Sequence, residues 1–449
     1  MRLPSDDSPL DRVTPYDRFA SGDSMIEEWL ASGERRAELS DYFGPAEYRS
    51  LAALARRART AGVSDSAPRV LIVPGIMGSQ LGLSRNAPLP NDIVWLDPLD
   101  IQHGKLAVLR MSAAAPIVPL GVVLFSYLRL KLHLRIAGFS VEFHDYDWRL
   151  SILKSARALA GRLRALRPAQ VAIVAHSMGG LVSRAALALE GTRHIARLVL
   201  LGTPNCGSFA AVQALRGTYA VVRKLARLTR QTSAESLSAE IFNTFPSLYE
   251  LLPWGPCSIP GGDLFDAHSW PAAGPRPHAE LLEAARAAQY QLAPPDERFA
   301  VIAGVGAETV TAVQRRGEEF FYTLTRGGDG TVPLASATLP SVRSAYARAA
   351  HSDLTRDPRV AAAVVDLLQT GTTRRLPSRW VSDARASARV SDGALRRTHT
   401  EKVDWAALTP KERRLFLENL NEPPHLRLRV PGKARRSRSD SWRSRRRRR

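Results

Sequence analysis

Between Pro68 and about Leu368, short β-rich runs alternate with runs of helical spacing, and this alternation constrains the fold more than any other feature. The strands that we predict are RVLIVPG, FSVEFHDYD, QVAIVAHS, RLVLLGTP, RFAVIAGVG and EEFFYTLT. Several are almost continuously apolar, which is typical of strands that are buried on both faces of a parallel sheet. Helical runs such as LKSARALAGRLRAL and GGLVSRAALALEG lie between them. The sequence therefore predicts an α/β fold with a mostly parallel central sheet and helices on both faces.

The segments on either side of this region differ from it in composition. Residues 1–66 have helical spacing and mixed charge, whereas residues 373–449 are rich in Arg and Ser. The end of the chain has too few apolar residues to bury a core and is predicted to be disordered. We therefore predict an N-terminal helical extension at 1–66, an α/β domain at 67–372 and a C-terminal extension at 373–449.

Two capping boxes predict where helices of these extensions begin. Ser24 and Glu27 have the required spacing in the N-terminal extension, and Thr409 and Glu412 have it in the C-terminal one. In such a box each side chain accepts a hydrogen bond from a free backbone amide at the helix start.

The net charge of +20 is concentrated near the C-terminus. Lys433–Arg449 contains ten basic residues and one acidic residue, and thus contributes +9. Each basic residue near an anionic leaflet contributes about 1 kcal/mol of binding, so we expect an anionic membrane surface as a partner. A solvated tail without function is the alternative. Specific nucleic-acid binding is not expected, because Trp442 is the only aromatic residue in the basic run Lys433–Arg449 and bases need aromatic side chains to stack on.

The sequence shows no signal peptide and no transmembrane helix. The first residues, MRLPSDDSPLDRVTPYDRF, carry acids and prolines, and the densest apolar run, Pro119–Leu128, is far shorter than the ~20 residues that span a bilayer. The chain has two cysteines, Cys206 and Cys257. So few cysteines suit a reducing compartment, although one disulfide between them is possible. We therefore expect a cytoplasmic protein that binds the membrane peripherally.

The stretch VAIVAHSMGG, residues 171–180, places a serine between a predicted strand and a predicted helix. In hydrolases the turn that exposes a nucleophilic serine usually reads G-x-S-x-G, because the strand and helix backbones cross closely there. Here Ala175 takes the place of the first glycine, and Gly179 is the second. Ser177 is therefore a candidate nucleophile, and an ordinary helix cap is the alternative.

A serine nucleophile on such a fold needs an acid and then a histidine later in the chain. His351 precedes a predicted helix at the end of the α/β region, whereas His399 and His425 lie in the Arg-rich extension. Asp329, in TRGGDGTVPL, directly follows the predicted strand FFYTLT. We predict that His351 is the general base for Ser177 and that Asp329 orients its imidazole.

The oxyanion of such a reaction needs backbone donors. One is the amide of Met178, directly after the serine, and the other belongs to a loop after an early strand. The stretch VLIVPGIMGSQL provides that loop, with the amide of Ile76 as the donor.

A family resemblance links these motifs. PGIMGSQL, WLD, DYDWR, AHSMGGLVSR, GTPNCGS, PSLYELLP, GGDGTVPL and HSDL run in this order from Pro74 to Leu354. Together they closely resemble the lecithin:cholesterol acyltransferase family of α/β-hydrolases. The GTPNCGS motif also resembles bacterial lipases and inositol-deacylase-like enzymes. The disulfide-closed lid of the secreted animal members is not implied, because no cysteine lies between Ile76 and Trp95.

The resemblance implies an α/β-hydrolase fold with a cap or lid, for which residues 84–130 and 205–295 provide the material. It implies the following site: Ser177, Asp329 and His351 as the triad, the amides of Ile76 and Met178 as oxyanion donors, and Trp95 and Trp148 with structural or pocket-wall roles. Neither a metal nor a cofactor is expected.

The predicted function is serine-dependent acyl transfer on lipid esters, as an O-acyltransferase. A lipase, phospholipase or esterase that passes the acyl group to water is the first alternative, because the triad is the same in both cases. A non-enzymatic scaffold with a basic binding tail is the second. The apolar cap segments suit a long acyl chain, unless they only pack on the sheet.

Overall fold

The structure is a computed structural model, and it describes residues 13–20, 22–64, 66–167, 170–189, 194–257, 262–288, 291–381, 386–398, 400–418 and 420. His399, His425 and Lys433–Arg449, with Trp442, lie outside these residues.

The strands of the described part are β1 Arg69–Val73, β2 Ser79–Leu83, β3 Asp92–Trp95, β4 Val118–Val122, β5 Ser140–Phe143, β6 Val171–His176, β7 Ile195–Leu201, β8 Phe299–Gly304, β9 Thr309–Arg316, β10 Glu319–Thr325, β11 Ser344–Ala347 and β12 Ala386–Ser391.

The helices are α1 Asp23–Ser32, α2 Arg36–Phe43, α3 Pro45–Ala61, α4 Pro98–Gln102, α5 Leu124–Ile136, α6 Ile152–Ala165, α7 Met178–Ala188, α8 Phe209–Leu215, α9 Ala220–Leu228, α10 Ala234–Glu240, α11 Pro246–Glu250, α12 Ala279–Ala288, α13 Leu334–Ala337, α14 Pro358–Thr370, α15 Asp392–Arg396 and α16 Pro410–Glu418.

The central sheet has six strands in the order β11-β8-β7-β6-β1-β5, and every pairing is parallel. Side chains along β1 alternate between two cores, since Val70 and Ile72 face one and Leu71 and Val73 face the other. Helices α1–α3, α5 and α14 contribute to the first core, and α6–α9 contribute to the second. The predicted parallel sheet with helices on both faces is confirmed.

One predicted strand lies elsewhere. EEFFYTLT forms β10 in an antiparallel sheet of order β12-β10-β9, not in the central sheet. The last central strand is β11, with the sequence SAYA, which the apolar-run criterion missed because it is short and contains only small residues and one tyrosine. Burial alternates along most of β10, as expected for a strand with one covered face.

The two predicted capping boxes have different outcomes. Helix α1 begins with Gly22 as its N-cap and has no side-chain cap, so the box at Ser24 is wrong. In front of α16, the amide and hydroxyl of Thr409 donate to the Glu412 carboxylate, and the Glu412 amide donates to the Thr409 hydroxyl. That box is confirmed. Among the helices described, none combines the length and apolar character that crossing a bilayer requires.

Candidate active site

Ser177 lies between the end of β6 and the start of α7, in a strained turn. Its φ of 53° and ψ of −129° belong to a region that residues with a side chain rarely adopt. A Cβ atom at Gly179 would lie only 2.4 Å from the carbonyl oxygen of Pro74, so this position requires glycine. Ala175 is fully buried on the other side of the turn. The Ser177 side chain makes no capping hydrogen bond to α7, which contradicts the alternative of a helix cap.

The Ser177 hydroxyl belongs to a chain of buried hydrogen bonds. Its Oγ lies 2.8 Å from Nε2 of His351, and Nδ1 of His351 lies 2.7 Å from Oδ2 of Asp329. The other oxygen of Asp329 accepts hydrogen bonds from the amides of Thr331, at 3.0 Å, and Val332, at 2.7 Å. This is the arrangement in which an imidazole can take the serine proton while a carboxylate fixes its tautomer.

Asp329 reaches this position by a route that the sequence did not indicate. The strand before it, β10, lies outside the central sheet, and the acid instead lies beside the end of β8. Asp329 bridges to Ala307, and a Cβ atom at Gly304 would lie 2.6 Å from its Cβ atom. The β9–β10 hairpin is therefore an insertion between the end of a central strand and the acid that this strand positions.

His351 begins a 3-10 turn after β11. Its amide donates to the carbonyl oxygen of Asp329 over 2.8 Å. The backbones of the two residues are thus joined as well as their side chains, which fixes the imidazole relative to the carboxylate.

The loop after β1 holds the amide of Ile76, and α7 begins with that of Met178. Neither amide donates a hydrogen bond to a residue within the described ranges. Met77 has φ 63°, and its carbonyl oxygen accepts a 2.8 Å hydrogen bond from Nε1 of Trp95. Ile76 and Trp95 both line the cavity in front of Ser177. Both amides are therefore available as oxyanion donors.

Trp148 has a different position from Trp95. It is fully buried and does not line the cavity. Its ring packs edge-on against Trp95 at 5.2 Å, and its Nε1 donates to the carbonyl oxygen of Ser79 over 3.0 Å. Of the two candidate pocket residues, Trp95 therefore faces the pocket and Trp148 supports it from behind.

Sequence reasoning missed a second buried network next to the triad. The hydroxyl of Tyr127 accepts a 3.0 Å hydrogen bond from the amide of Gly75 and lies 3.0 Å from Nδ1 of His176. Nε2 of His176 lies 3.1 Å from the carbonyl oxygen of His351, which can only accept. Burial, reinforced by the neighbouring His351, lowers the pKa of His176 to about 3. The neutral His176 therefore ties the oxyanion loop to the backbone of the candidate base. The one sequence signal for this network was the position of His176 directly before Ser177.

The cavity in front of Ser177 has a volume of about 130 Å³, and most of its surface is apolar. Both predicted cap segments contribute to it: Trp95 and Phe125 belong to the first, and Ala211 and Leu248 belong to the second. Leu417, from the C-terminal extension, also lines it. The arrangement suits an apolar substrate group near the serine.

The two cysteines form a disulfide within the second predicted cap segment, 205–295. Cys206 and Cys257, whose Cα atoms are 6.0 Å apart, join the loop after β7 to a 3-10 turn at Gly255–Cys257. The structure thus pairs the two cysteines, as in the disulfide that the sequence left open. Within the described ranges, no group of His, Cys, Asp and Glu side chains is arranged to hold a metal ion.

A protein-family profile, described as a PGAP1-like alpha/beta domain, matches residues 158–244. This region runs from α6 through the strained serine to the cap helices, and it supports an α/β-hydrolase fold together with the sheet order. The match is not to the acyltransferase family that the motifs resemble. No match was found among curated proteins.

Several solved structures are similar to the chain. A lipase from Bacillus licheniformis, BlEst2 in its propeptide form, is 14% identical with a TM-score of 0.36, over 73% of this chain and 54% of that one. A chain of the Tle4–Tli4 complex is 15% identical with a TM-score of 0.41, and the match covers 71% of this chain and 100% of that one. Phospholipase PlaB from Legionella pneumophila is 12% identical with a TM-score of 0.31, over 69% and 61%. The chain thus spans about half of the length of the BlEst2 chain.

Proposed function

We propose that this chain catalyses serine-dependent acyl transfer on lipid esters, through an acyl-enzyme on Ser177. One observation carries the proposal: the hydrogen-bonded chain of Ser177, His351 and Asp329 opens into an apolar cavity. A helix cap or a structural histidine has no need for this connected arrangement.

In the first half of the reaction, Oγ of Ser177 attacks the acyl carbon of the ester while Nε2 of His351 takes the hydroxyl proton. The amides of Ile76 and Met178 stabilise the oxyanion that forms. The bond to the leaving alcohol then breaks, and His351 returns the proton to that alcohol. Asp329 holds the imidazole in the required tautomer and stabilises its charged form.

In the second half, an acceptor hydroxyl loses its proton to His351 and attacks the acyl-enzyme. The bond between the acyl group and Oγ of Ser177 then breaks, and His351 returns the proton to that oxygen. We propose an alcohol as this acceptor, as in the lecithin:cholesterol acyltransferase family, because the apolar lining of the cavity favours an organic acceptor over water. Water as the acceptor would make the enzyme a lipase or phospholipase. The same triad serves both reactions, so the products decide between them.

The experiment begins with a fluorophosphonate probe, which should label wild-type protein and not Ser177→Ala. Both proteins are then incubated with mixed phospholipids and a long-chain alcohol or sterol. Formation of the fatty acyl ester by the wild type alone supports the acyltransferase, and free fatty acid alone supports the lipase. A folded wild type that is neither labelled nor active would favour the non-enzymatic scaffold.

We also propose that the protein works peripherally at an anionic membrane surface on the cytoplasmic side. The basic run Lys433–Arg449 supports this proposal. A Cys206–Cys257 bridge in the native protein would suit an oxidising compartment instead. Thiol titration of protein isolated from its native cells under alkylating conditions distinguishes the two: free thiols support the cytoplasm, and a formed bridge contradicts it.

A further inference from the structure

The C-terminal extension reaches the catalytic cavity. Leu417, in α16, and Leu420, just beyond it, line the same cavity as Ser177. Both side chains are buried, with exposed fractions of 6% and 8%. A segment that follows the α/β domain by about forty residues thus supplies part of the wall around the candidate nucleophile.

Helix α16 is held in place by contacts at its start and along its inner face. The box of Thr409 and Glu412 closes its first turn. Arg413 donates through Nε to the carbonyl oxygen of Trp405 over 3.1 Å, and the ring of Phe416 packs edge-on against Trp405 at 5.9 Å.

Trp405 connects this helix to the other end of the chain. Its ring is buried, and its Nε1 donates a 3.2 Å hydrogen bond to the hydroxyl of Tyr16. The two leucines therefore belong to a supported element of the fold, with the N-terminal extension as part of its base.

The same helix also supports another wall of the cavity. The guanidinium group of Arg414 lies 5.4 Å from the centre of the Phe125 ring, and Phe125 lines the cavity. The cavity-lining side chains of Leu417, Leu420 and Phe125 are hydrocarbon, whereas the polar residues of the lining include Ser126, Thr355 and Arg356. The wall that the three apolar side chains form fits hydrocarbon.

We propose that α16 and Leu420 form part of the acyl-chain subsite, and that the C-terminal extension thereby determines which acyl chains the site accepts. The proposal rests on the proposed function, since the occupant is the acyl chain of the lipid ester. A bulky side chain in this wall occupies space that a long chain needs and that a short chain does not reach.

The test uses Leu417→Trp and Leu420→Trp in the full-length protein. Leu415→Trp is the matched control, because Leu415 lies on the same helix but is 41% exposed. The measured quantity is the ratio of kcat/KM for the p-nitrophenyl ester of palmitic acid to that for the ester of butyric acid. We expect the ratio to fall about tenfold or more in both test variants, on the scale that pocket fit has for chain length. The control should keep the wild-type ratio.

Unchanged ratios in both test variants would overturn the inference. Thermal unfolding of each variant verifies that it is folded, and if Leu417→Trp is not, the smaller change Leu417→Phe takes its place. A wild type that neither hydrolyses the butyrate ester nor reacts with a fluorophosphonate contradicts the proposed function itself. An active, labelled wild type whose chain preference ignores both leucines contradicts only the acyl-chain subsite.

Discussion

At the scale of single residues, the site depends on conformations that its neighbours impose. The backbone of Ser177, with φ 53°, costs of order 1–3 kcal/mol for a residue other than glycine. The amide of Ser177 donates to the carbonyl oxygen of Leu201 over 2.9 Å, and Gly179 lets α7 approach the backbone of Pro74. These contacts hold the serine hydroxyl toward His351. A cost of this size at a functional residue is offset by the packing around it.

Replacing Asp329 by Asn tests the acid of the triad. The amide cannot hold the imidazole in the tautomer that accepts the serine proton, so kcat should fall by about 10⁴ with little change in stability. Steady-state esterase kinetics measure the effect. Asp266→Asn is the control, because the side chain of this exposed acid bonds to nearby His268 and does not line the cavity. Full activity in Asp329→Asn would mean that another acid serves the triad.

Replacing Tyr127 by Phe tests the network behind the triad. Without the hydroxyl, the amide of Gly75 loses its acceptor and the oxyanion loop loses its connection to His176. We expect kcat to fall about tenfold at nearly unchanged KM, as for the loss of about 1–3 kcal/mol of buried hydrogen bonding in the transition state.

Tyr249→Phe is the matched control for that prediction. Its hydroxyl donates to the carbonyl oxygen of Asn243 and accepts from the amide of His278, which do not belong to the site. This variant should lose stability and keep its kcat. Equal kcat values in the two variants would show that the Tyr127 network does not position the oxyanion loop.

At the scale of secondary-structure elements, the predicted cap segment 205–295 is held by segments remote from it in the chain. Helix α9 is bound by the stretch that follows α15: Arg223 donates to the carbonyl oxygen of Thr398 and Arg227 to that of Glu401, both over 2.9 Å. In return, the amide of Val403 donates to the carbonyl oxygen of Arg227 over 2.8 Å. The position of α9 thus depends on the C-terminal extension.

Glu250→Gln tests the buried contact between α11 and α6. The Glu250 carboxylate accepts a hydrogen bond from the amide of Ile152, and burial raises its pKa to about 7. Because the folded protein holds this proton more tightly than the unfolded chain, wild-type stability falls as the pH rises through the range between the unfolded and folded pKa values. The uncharged Gln removes that loss.

Urea unfolding of both proteins at about pH 5 and about pH 8 measures this effect. The stability of Glu250→Gln relative to the wild type should rise between the two pH values by about 2–3 kcal/mol. Glu240→Gln, at an exposed position, should show no such trend. A pH-independent difference for Glu250→Gln would contradict the raised pKa.

At the scale of the whole molecule, the segments before and after the α/β region contribute side chains to the two cores of that region. Side chains of α1–α3 share the first core with β1, and Trp405 and Phe416 belong to the second. Arg216, at the end of α8, is fully buried against Asp392 of the C-terminal extension, with Nε and Nη2 at 3.0 and 2.9 Å from Oδ2. The division into parts at 1–66, 67–372 and 373–449 stays a prediction.

Asp392→Asn should destabilise the whole molecule. It leaves the Arg216 guanidinium buried without its counter-charge, and breaking a fully buried pair in this way costs about 3–5 kcal/mol. Urea unfolding gives the value. The control is Glu28→Gln, whose partner Arg59 is exposed, and it should leave the free energy of unfolding nearly unchanged. A loss as small as that of the control would show that the pair contributes little.

Truncation after Gly432 tests the basic tail. The full-length protein should bind vesicles that contain anionic lipid, and the binding should weaken as salt is added, because the attraction is screened. The truncated protein should not bind, and neither protein should bind neutral vesicles. Vesicle co-sedimentation measures both. Equal binding by the truncated protein would assign the membrane contact to another surface.

Local patterns in the sequence determined much of this protein. Five of the six central strands, the serine turn between β6 and α7, and the start of α16 follow from apolar runs, small residues and capping boxes, which act over a few residues. The sequence also predicted Ser177, Asp329 and His351 as a set, from the order in which a hydrolase fold supplies serine, acid and histidine.

Only the tertiary structure decided how distant segments combine. The place of β10 in a separate sheet, the position of Asp329 beside β8, the contact of Tyr127 with His176 and the approach of Leu417 to the cavity have no local signature. The physical reason is that burial is non-directional: an apolar run requires a covered face but does not specify which remote segment covers it. In this protein the covering segments also build the site.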